Sequence, residues 1–396
     1  MNGEKEIVIV DGLRTPYGSF GGSLKDFSAT ELAIESSKAL CAKTGVAQEK
    51  VEHVIFGNVV QTSPDAAYLA RHVGLHCGIP KDVPAVTINR LCGSGFETII
   101  QAARHIRLGE EDVILAGGTE SMSQAPHSVW GARWGDMRLA NGKMVDVLWT
   151  ALTDSYAGCS MAETAENLAE QYNISREACD EYAYRSQIAA HAAWEEGRMQ
   201  EETFPMPLKA KKGEQKFQMD EHIRPDTSME KLAKLSPYFS KDGTVTPGNA
   251  SGICDGSASV IVTSAERAER EGWEPIGCLH GWGVAGVEPS IMGIGPVAAT
   301  HRVFENTGFT MDDMALVEVN EAFAPQYLAV EKELGLDREI TNVNGGAIAV
   351  GHPLASSGTR LTITILKELK RRNETYGLAT ACIGGGQGAA VIVEAL

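Results

Sequence analysis

At 396 residues the chain is larger than one hydrophobic core usually supports, so two or three domain-sized units are expected. Hydrophobic residues at 43% and charged residues at 22% describe a folded globular protein rather than a disordered one. A net charge of −17 opposes binding to nucleic acid or to an anionic membrane, and any anionic ligand must find a local basic patch.

The start, Met1 to Lys5, is polar, and the apolar run Ile7 to Val10 is too short for a signal peptide or a membrane span. The end, Glu394-Ala395-Leu396, is not a peroxisomal tripeptide, so cytoplasmic residence is the expectation. Cysteines stand at 41, 77, 92, 159, 179, 254, 278 and 382, with no C-x-x-C pair and no histidine at zinc-ligand spacing. Neither a metal site nor a disulfide framework is expected, and a functional cysteine must declare itself by its local context.

Ile7 to Val10 reads as a buried strand, and Ser28-Ala29-Thr30-Glu31 as a capping box opening a helix. Val54 to Phe56, Ala85 to Ile88 and Val113 to Ala116 are further strands, with a helix through Phe96, Ile99, Ile100, Ala103 and Ile106 between the last two. From Met122 to Asn249 the alternation breaks; this stretch reads as an insertion with one long helix, Arg176 to Glu196, capped by Ser175. Gly252 to Val262 resumes strand-like sequence. Leu316 to Val319 and Ile340 to Val343 read as strands. A glycine-rich loop follows, then a helix aligning Leu361, Ile365, Leu366 and Leu369, and a last strand at Val391 to Val393. The pattern is α/β: two duplicated layered halves, 1–121 with 250–268 and 269–396, around an inserted loop domain at 122–249.

Three segments carry chemistry. Cys92, in Asn89-Arg90-Leu91-Cys92-Gly93-Ser94-Gly95, falls between a strand and a helix, where unpaired N–H groups and the helix dipole would lower a thiol pKa from roughly 8.5 toward neutrality. The same segment also fits a structural cysteine before a glycine turn. His352, in Gly351-His352-Pro353-Leu354, occupies the equivalent junction of the second half, so a pseudo-twofold relation would bring imidazole and thiol to one site. Cys382 precedes Ile383-Gly384-Gly385-Gly386-Gln387-Gly388, whose glycines either bring N–H groups close to a ligand or form a β turn. G-x-G-x-x-G and G-K-[ST] are absent.

These motifs, with Asn320-Glu321-Ala322-Phe323-Ala324, Gly117-Gly118-Thr119-Glu120-Ser121-Met122-Ser123 and Asn249-Ala250-Ser251-Gly252, resemble the thiolase family over almost the whole length. The likeness is to its acetyl-CoA acetyltransferase and short-to-medium-chain 3-ketoacyl-CoA thiolase branch. It implies a thiolase-like fold and reversible Claisen condensation of two acetyl-CoA to acetoacetyl-CoA plus CoA, or alternatively a broader 3-ketoacyl-CoA thiolase of fatty acid β-oxidation.

On this resemblance Cys92 carries the acyl group, His352 removes its proton, Cys382 moves the α-carbon proton, Asn320 holds a water, and the N–H groups of Cys92 and Gly384 form an oxyanion hole. Coenzyme A is implied as co-substrate with no permanent cofactor, contacted by Arg224 and Ser251, while Leu152, Met161, Phe239, Met292 and Phe323 line the acyl and pantetheine tunnel. Lys209, Lys211 and Lys212 are a second basic cluster, or simply a charged loop. A homotetramer, a dimer of dimers, is implied as well, and the apolar Trp130, Trp134, Met137 and Met144 suit such contacts.

Three positions depart from the family pattern. Ala355-Ser356 replaces Gly-Ala and shifts the histidine loop if position 355 needs positive φ. Thr119 stands for methionine, and Ser160 for a histidine common beside Met161, leaving more room at the acyl end. A decarboxylating ketoacyl synthase is disfavoured by Cys382, and a silent CoA-binding scaffold by retention of Cys92, Asn320, His352 and Cys382 together. A nicotinamide-dependent oxidoreductase has only the α/β pattern in its favour.

Overall fold

The computed structural model describes residues 5–134, 142–209 and 215–396. Met137, Lys211 and Lys212 lie outside the described residues. Strands run in the order Leu316–Val319, Tyr376–Ile383, Gln387–Ala395, Gly277–Gly286, Ile7–Arg14, Cys254–Ser264, Val113–Ser121, His53–Gly57 and Ala85–Ile88, with Gly18–Ser19 pairing on the Cys254 strand. Each wing repeats one pattern. Outward from Ile7–Arg14 the ladders are antiparallel, antiparallel and parallel, and outward from Gly277–Gly286 they are the same. In the sheet the two wings join where Val8 and Ile9 pair with Cys278 and Gly277.

Two helices, Ser94–Leu108 and Leu354–Arg372, lie between the wings. Ile99, Ile100 and Ile106 of one and Leu361, Ile365 and Leu366 of the other share a core with Ile9, Ile114 and Val260 from the first wing and Ala381, Val391 and Val393 from the second. Outside the first wing pack Ala29–Thr44 and Leu69–His76; outside the second pack Gly295–Thr307 and Ala324–Leu334. The helix at Ala29 opens on the expected capping box, with the Ser28 hydroxyl accepting from the Glu31 amide at 3.1 Å.

The sequence misleads at one expected strand. Ile340 to Val343 forms no strand; one bridge links Thr341 to Val317. Asn342 takes a left-handed φ of 48°, and its side-chain amide bonds the Val319 N–H and C=O at 2.8 and 2.9 Å, doing with a side chain what a strand backbone would do. Leu354–Arg372 has no solvent face over most of its length, since every residue from Leu354 to Leu369 is buried. Its polar residues find partners: Ser356 with Tyr17 at 2.7 Å, Thr364 with Glu202 at 2.7 Å and Lys367 with Asp11 at 2.9 Å.

Segment 122–249 contributes two helices, Met161–Tyr172 and Arg176–Glu195, that pack into the outer core of the second wing. Tyr182 stacks on Tyr327 with ring centroids 3.8 Å apart. A buried guanidinium fastens this segment to the first strand: Arg14 donates to Glu202 at 2.6 Å and to both oxygens of Asp220 at 2.7 and 2.9 Å.

The central helices touch backbone to backbone. A Cβ on Gly358 would stand 2.4 Å from the Phe96 nitrogen, and one on Gly95 would stand 2.5 Å from the Thr359 nitrogen. Gly358→Ala should therefore lower stability, since overpacking of this kind costs about 1–3 kcal/mol. Helix propensity alone favours alanine by about 1 kcal/mol, so a raised urea midpoint would show that the helices part freely.

Candidate active site

Strand Ala85–Ile88 delivers the chain to a tight elbow. The Asn89 carboxamide oxygen accepts from the Leu91 amide at 2.9 Å, and the Ser94 hydroxyl accepts from the Arg90 amide at 2.9 Å while donating to the Leu91 carbonyl at 2.7 Å. Leu91 is held at φ 47°, a conformation costing a non-glycine residue about 1–2 kcal/mol. The elbow turns Cys92 into a cavity two residues before the helix begins.

His352 arrives by a second turn. Gly351 has φ 100°, and a Cβ there would meet the Cys254 sulfur at 2.6 Å, so only glycine fits. The imidazole Nδ1 lies 2.5 Å from the Ser357 hydroxyl, which donates onward to the Pro353 carbonyl at 3.1 Å. That hydroxyl has one proton to give, so Nδ1 carries the ring hydrogen and Nε2 keeps its lone pair. Asn320 Nδ2 lies 3.3 Å from Nε2, and the buried Asn320 Oδ1 has no partner. Burial, reinforced by Arg360, pulls the His352 pKa down to about 3, so the ring rests neutral.

The buried Glu321 carboxylate fixes the loops carrying Asn320 and His352 to each other. It accepts from Tyr182 and Ser186 at 2.7 Å, from Asn342 at 3.0 Å and from the Ile348 amide at 3.1 Å. Ala355 does not disturb the histidine loop as the sequence suggested, because it lies inside the helix and needs no positive φ. Glu120 accepts its amide at 3.2 Å together with those of Val59 and Val60.

Cys382 ends the strand Tyr376–Ile383, and Gly384 to Gly386 form the hairpin turn to Gln387. The β turn weighed for this glycine run is present, and it directs the Gly384 N–H at the Cys92 sulfur. Cys382 is fully buried beside Met292 and Ala322, and burial and the neighbouring Cys92 hold its thiol well above the ordinary range. Cys92 does not show the expected depression. Loss of water pushes it up to about 11 despite hydrogen bonds from the amides of Gly384 and Cys92 itself. Standing two residues ahead of the helix, the thiol gains less from the dipole than it loses by desolvation.

The cavity, of about 190 Å³, is lined by Cys92 and His352 together with Leu152, Met161, Phe239, Ser251, Met292 and Phe323. Asn320, Cys382 and Gly384 stand behind this lining. Arg224 does not line the cavity; it is exposed, two residues from His222, whose ring lies against Gly252 at the wall. Sequence reasoning missed Trp149, whose ring stacks near-parallel to Phe239 at 6.2 Å, and also Ile253 and Leu354. It assigned nothing to Ser357, Glu321 or Glu120, although the last two lie within motifs already singled out.

The chain matches the thiolase N-terminal domain over residues 7–266 and the thiolase C-terminal domain over 273–395. It is 52% identical over 388 residues to human mitochondrial 3-ketoacyl-CoA thiolase, covering 98% of each chain. It is 47% identical over 397 residues to an acetyl-CoA acetyltransferase of Syntrophomonas wolfei, covering 99% of this chain and 100% of that one. The crystal structure of human mitochondrial 3-ketoacyl-CoA thiolase in complex with CoA superposes with a TM-score of 0.96 at 51% identity, covering 99% and 98% of the two chains. The expectation of cytoplasmic residence is overturned: the mammalian relatives are named mitochondrial, and bacterial relatives occur beside them. Two domain matches that together span nearly the whole chain, and relatives aligned from end to end, make this protein an enzyme of the thiolase family, with the thiolase fold.

Proposed function

We propose that this enzyme reversibly cleaves short and medium 3-ketoacyl-CoAs, acetoacetyl-CoA included, through an acyl thioester on Cys92. The observation that carries this reading is one apolar cavity faced by a thiol and by a neutral imidazole whose unprotonated Nε2, with Asn320 Nδ2 at 3.3 Å, can accept a proton. With the thiol raised and the imidazole lowered, the pair rests uncharged, so His352 takes the Cys92 proton as sulfur attacks rather than before. The amides of Cys92 and Gly384 would then hold the oxyanion.

In cleavage, the carbon-carbon bond of the Cys92 adduct breaks to give the acetyl-CoA enolate, which takes a proton from Cys382. The proton that His352 took from Cys92 then moves to Cys382, and CoA accepts the acyl group from Cys92, its thiol proton passing by way of His352 to the departing Cys92 sulfur. The enolate oxygen would be met by His352 and by a water on Asn320, whose buried Oδ1 is an open acceptor. A Cys382 thiol held protonated by burial suits the cleavage direction, and reversal gives acetyl-CoA C-acetyltransferase activity by condensation.

Supporting the broader substrate range are the apolar lining, the small Ser160 within it, and the 52% relative named for 3-ketoacyl-CoA. CoA, as co-substrate, would pass Ser251 and His222 toward Arg224, an exposed cation whose guanidinium donates to the Glu221 carbonyl at 3.4 Å. We also propose 1–121 with 250–268, 122–249 and 269–396 as the working units: they bring respectively Cys92 and Ser251, the tunnel residues Leu152, Met161 and Phe239, and His352 with Cys382.

Cys92→Ser should abolish turnover, a hydroxyl being the weaker nucleophile. Cys382→Ala should still take up an acetyl label on Cys92 but lose about a hundred- to ten-thousand-fold in exchange of the acetyl-CoA methyl protons. Equal loss in both assays with the fold intact would remove the separate role of Cys382.

Steady-state comparison should show a six-carbon 3-ketoacyl-CoA cleaved alongside acetoacetyl-CoA. Strict rejection of the longer substrate would sink the broad range.

A homotetramer, as a dimer of dimers, is proposed from the exposure of Trp130 (70%), Trp134 (92%) and Met144 (70%) around the ribbon His127–Val129 and Met144–Asp146. Sedimentation as a monomer at about micromolar concentration would refute it.

A further inference from the structure

Cys278 lies on the strand Gly277–Gly286 and pairs across the ladder with Glu394. The register shifts between Leu279 and Gly281, so His280 is the extra residue of a bulge. The Cys278 sulfur lies 3.5 Å from His280 Nε2 and 3.5 Å from Glu394 Oε2, which are 2.5 Å from each other. The imidazole is held edge-on against Phe309 and Tyr376, with centroids 5.5 and 5.4 Å away. None of these residues lines the Cys92 cavity.

A nucleophilic triad needs its carboxylate on the ring nitrogen remote from the thiol. Here carboxylate and thiol share Nε2, so sulfur, nitrogen and oxygen converge on one point. That is how metal ligands are arranged. Tetrahedral zinc, with bonds of about 2.0–2.3 Å, sets its ligand atoms roughly 3.4–3.6 Å apart. Both sulfur distances already match, and nitrogen and oxygen need to open by about 1 Å once no proton is shared between them.

We propose that Cys278, His280 and Glu394 form a binding site for Zn²⁺, with solvent as the fourth ligand. Binding forms the S–Zn bond and releases the thiol proton to water, with no change of oxidation state. Solvent reaches the site past His280 and Glu394, whose side chains are 31% and 25% exposed. A thiolate, an imidazole and a carboxylate together favour zinc over magnesium or calcium. The spacing rules applied to the sequence pass over this set because Glu394 comes from a partner strand more than a hundred residues away.

The test uses the full chain, stripped with a chelator and dialysed against Zn²⁺ or Co²⁺. One equivalent of zinc should remain by elemental analysis, and cobalt should give a thiolate-to-metal charge-transfer band. The band should survive in Cys92→Ser and vanish in Cys278→Ser; Glu394→Gln and His280→Asn should each lose the zinc equivalent, with wild-type turnover retained. Should Cys278→Ser fail to fold, the other two variants decide by metal content. No zinc above the stripped baseline, a cobalt band unchanged in Cys278→Ser, or full zinc content in both Glu394→Gln and His280→Asn overturns the site.

Discussion

Gly95 and Gly358 let the two central helices meet without side chains between them, and the proposed active centre is built outward from that contact. Cys92 stands three residues before one glycine and His352 six before the other, so both are placed within about 10 Å of the crossing along their own chains. Neither helix can slide or tilt without moving Cys92 relative to His352. Both wings of the sheet bury their inner faces on these helices, and the largest apolar core therefore also fixes how these two side chains are placed. Stability and alignment rest on the same packing.

Buried carboxylates finish what the helices begin. Glu321 gathers four donors, Tyr182 and Ser186 from the helix Arg176–Glu195 and Asn342 and the Ile348 amide from the chain leading to His352, and Glu120 gathers amides from Val60 and from Ala355 on the histidine helix. Neither lines the cavity. Burial pushes Glu120 up to about 7, yet its acceptors remain fully used, as a positioning group requires. In a chain of net charge −17, Cys92 and His352 are left facing a pocket with an apolar lining.

The roof of that pocket comes from segment 122–249. Leu152, Met161 and Phe239 close it above Cys92 and His352, while the Arg14 ion cluster and the stacked Tyr182 and Tyr327 tie the same segment to opposite wings. The cavity thus exists only when three stretches distant in the chain are docked. The bulge at His280 is a smaller case of the same principle, since one extra residue in a strand brings an imidazole onto a cysteine and a cross-strand glutamate.

Strand-to-helix junctions, glycine turns and helix caps are local, and these were legible in the residues alone: the Ser28 box, the Cys92 elbow, the loop at His352 and the glycines after Cys382 all lie where the pattern put them. What depends on surroundings was not legible. Ile340 to Val343 reads as a strand because apolar residues say so, yet the side chain of Asn342 takes over the pairing. The burial of the polar positions of Leu354–Arg372 rests on partners that other segments supply. The acidity of Cys92 followed from a dipole that sequence can show, whereas the desolvation that outweighs it appears only when the cavity closes. Propensities and turns act over a few residues, but burial and electrostatics sum over everything within several ångströms, and that company is chosen by the tertiary fold.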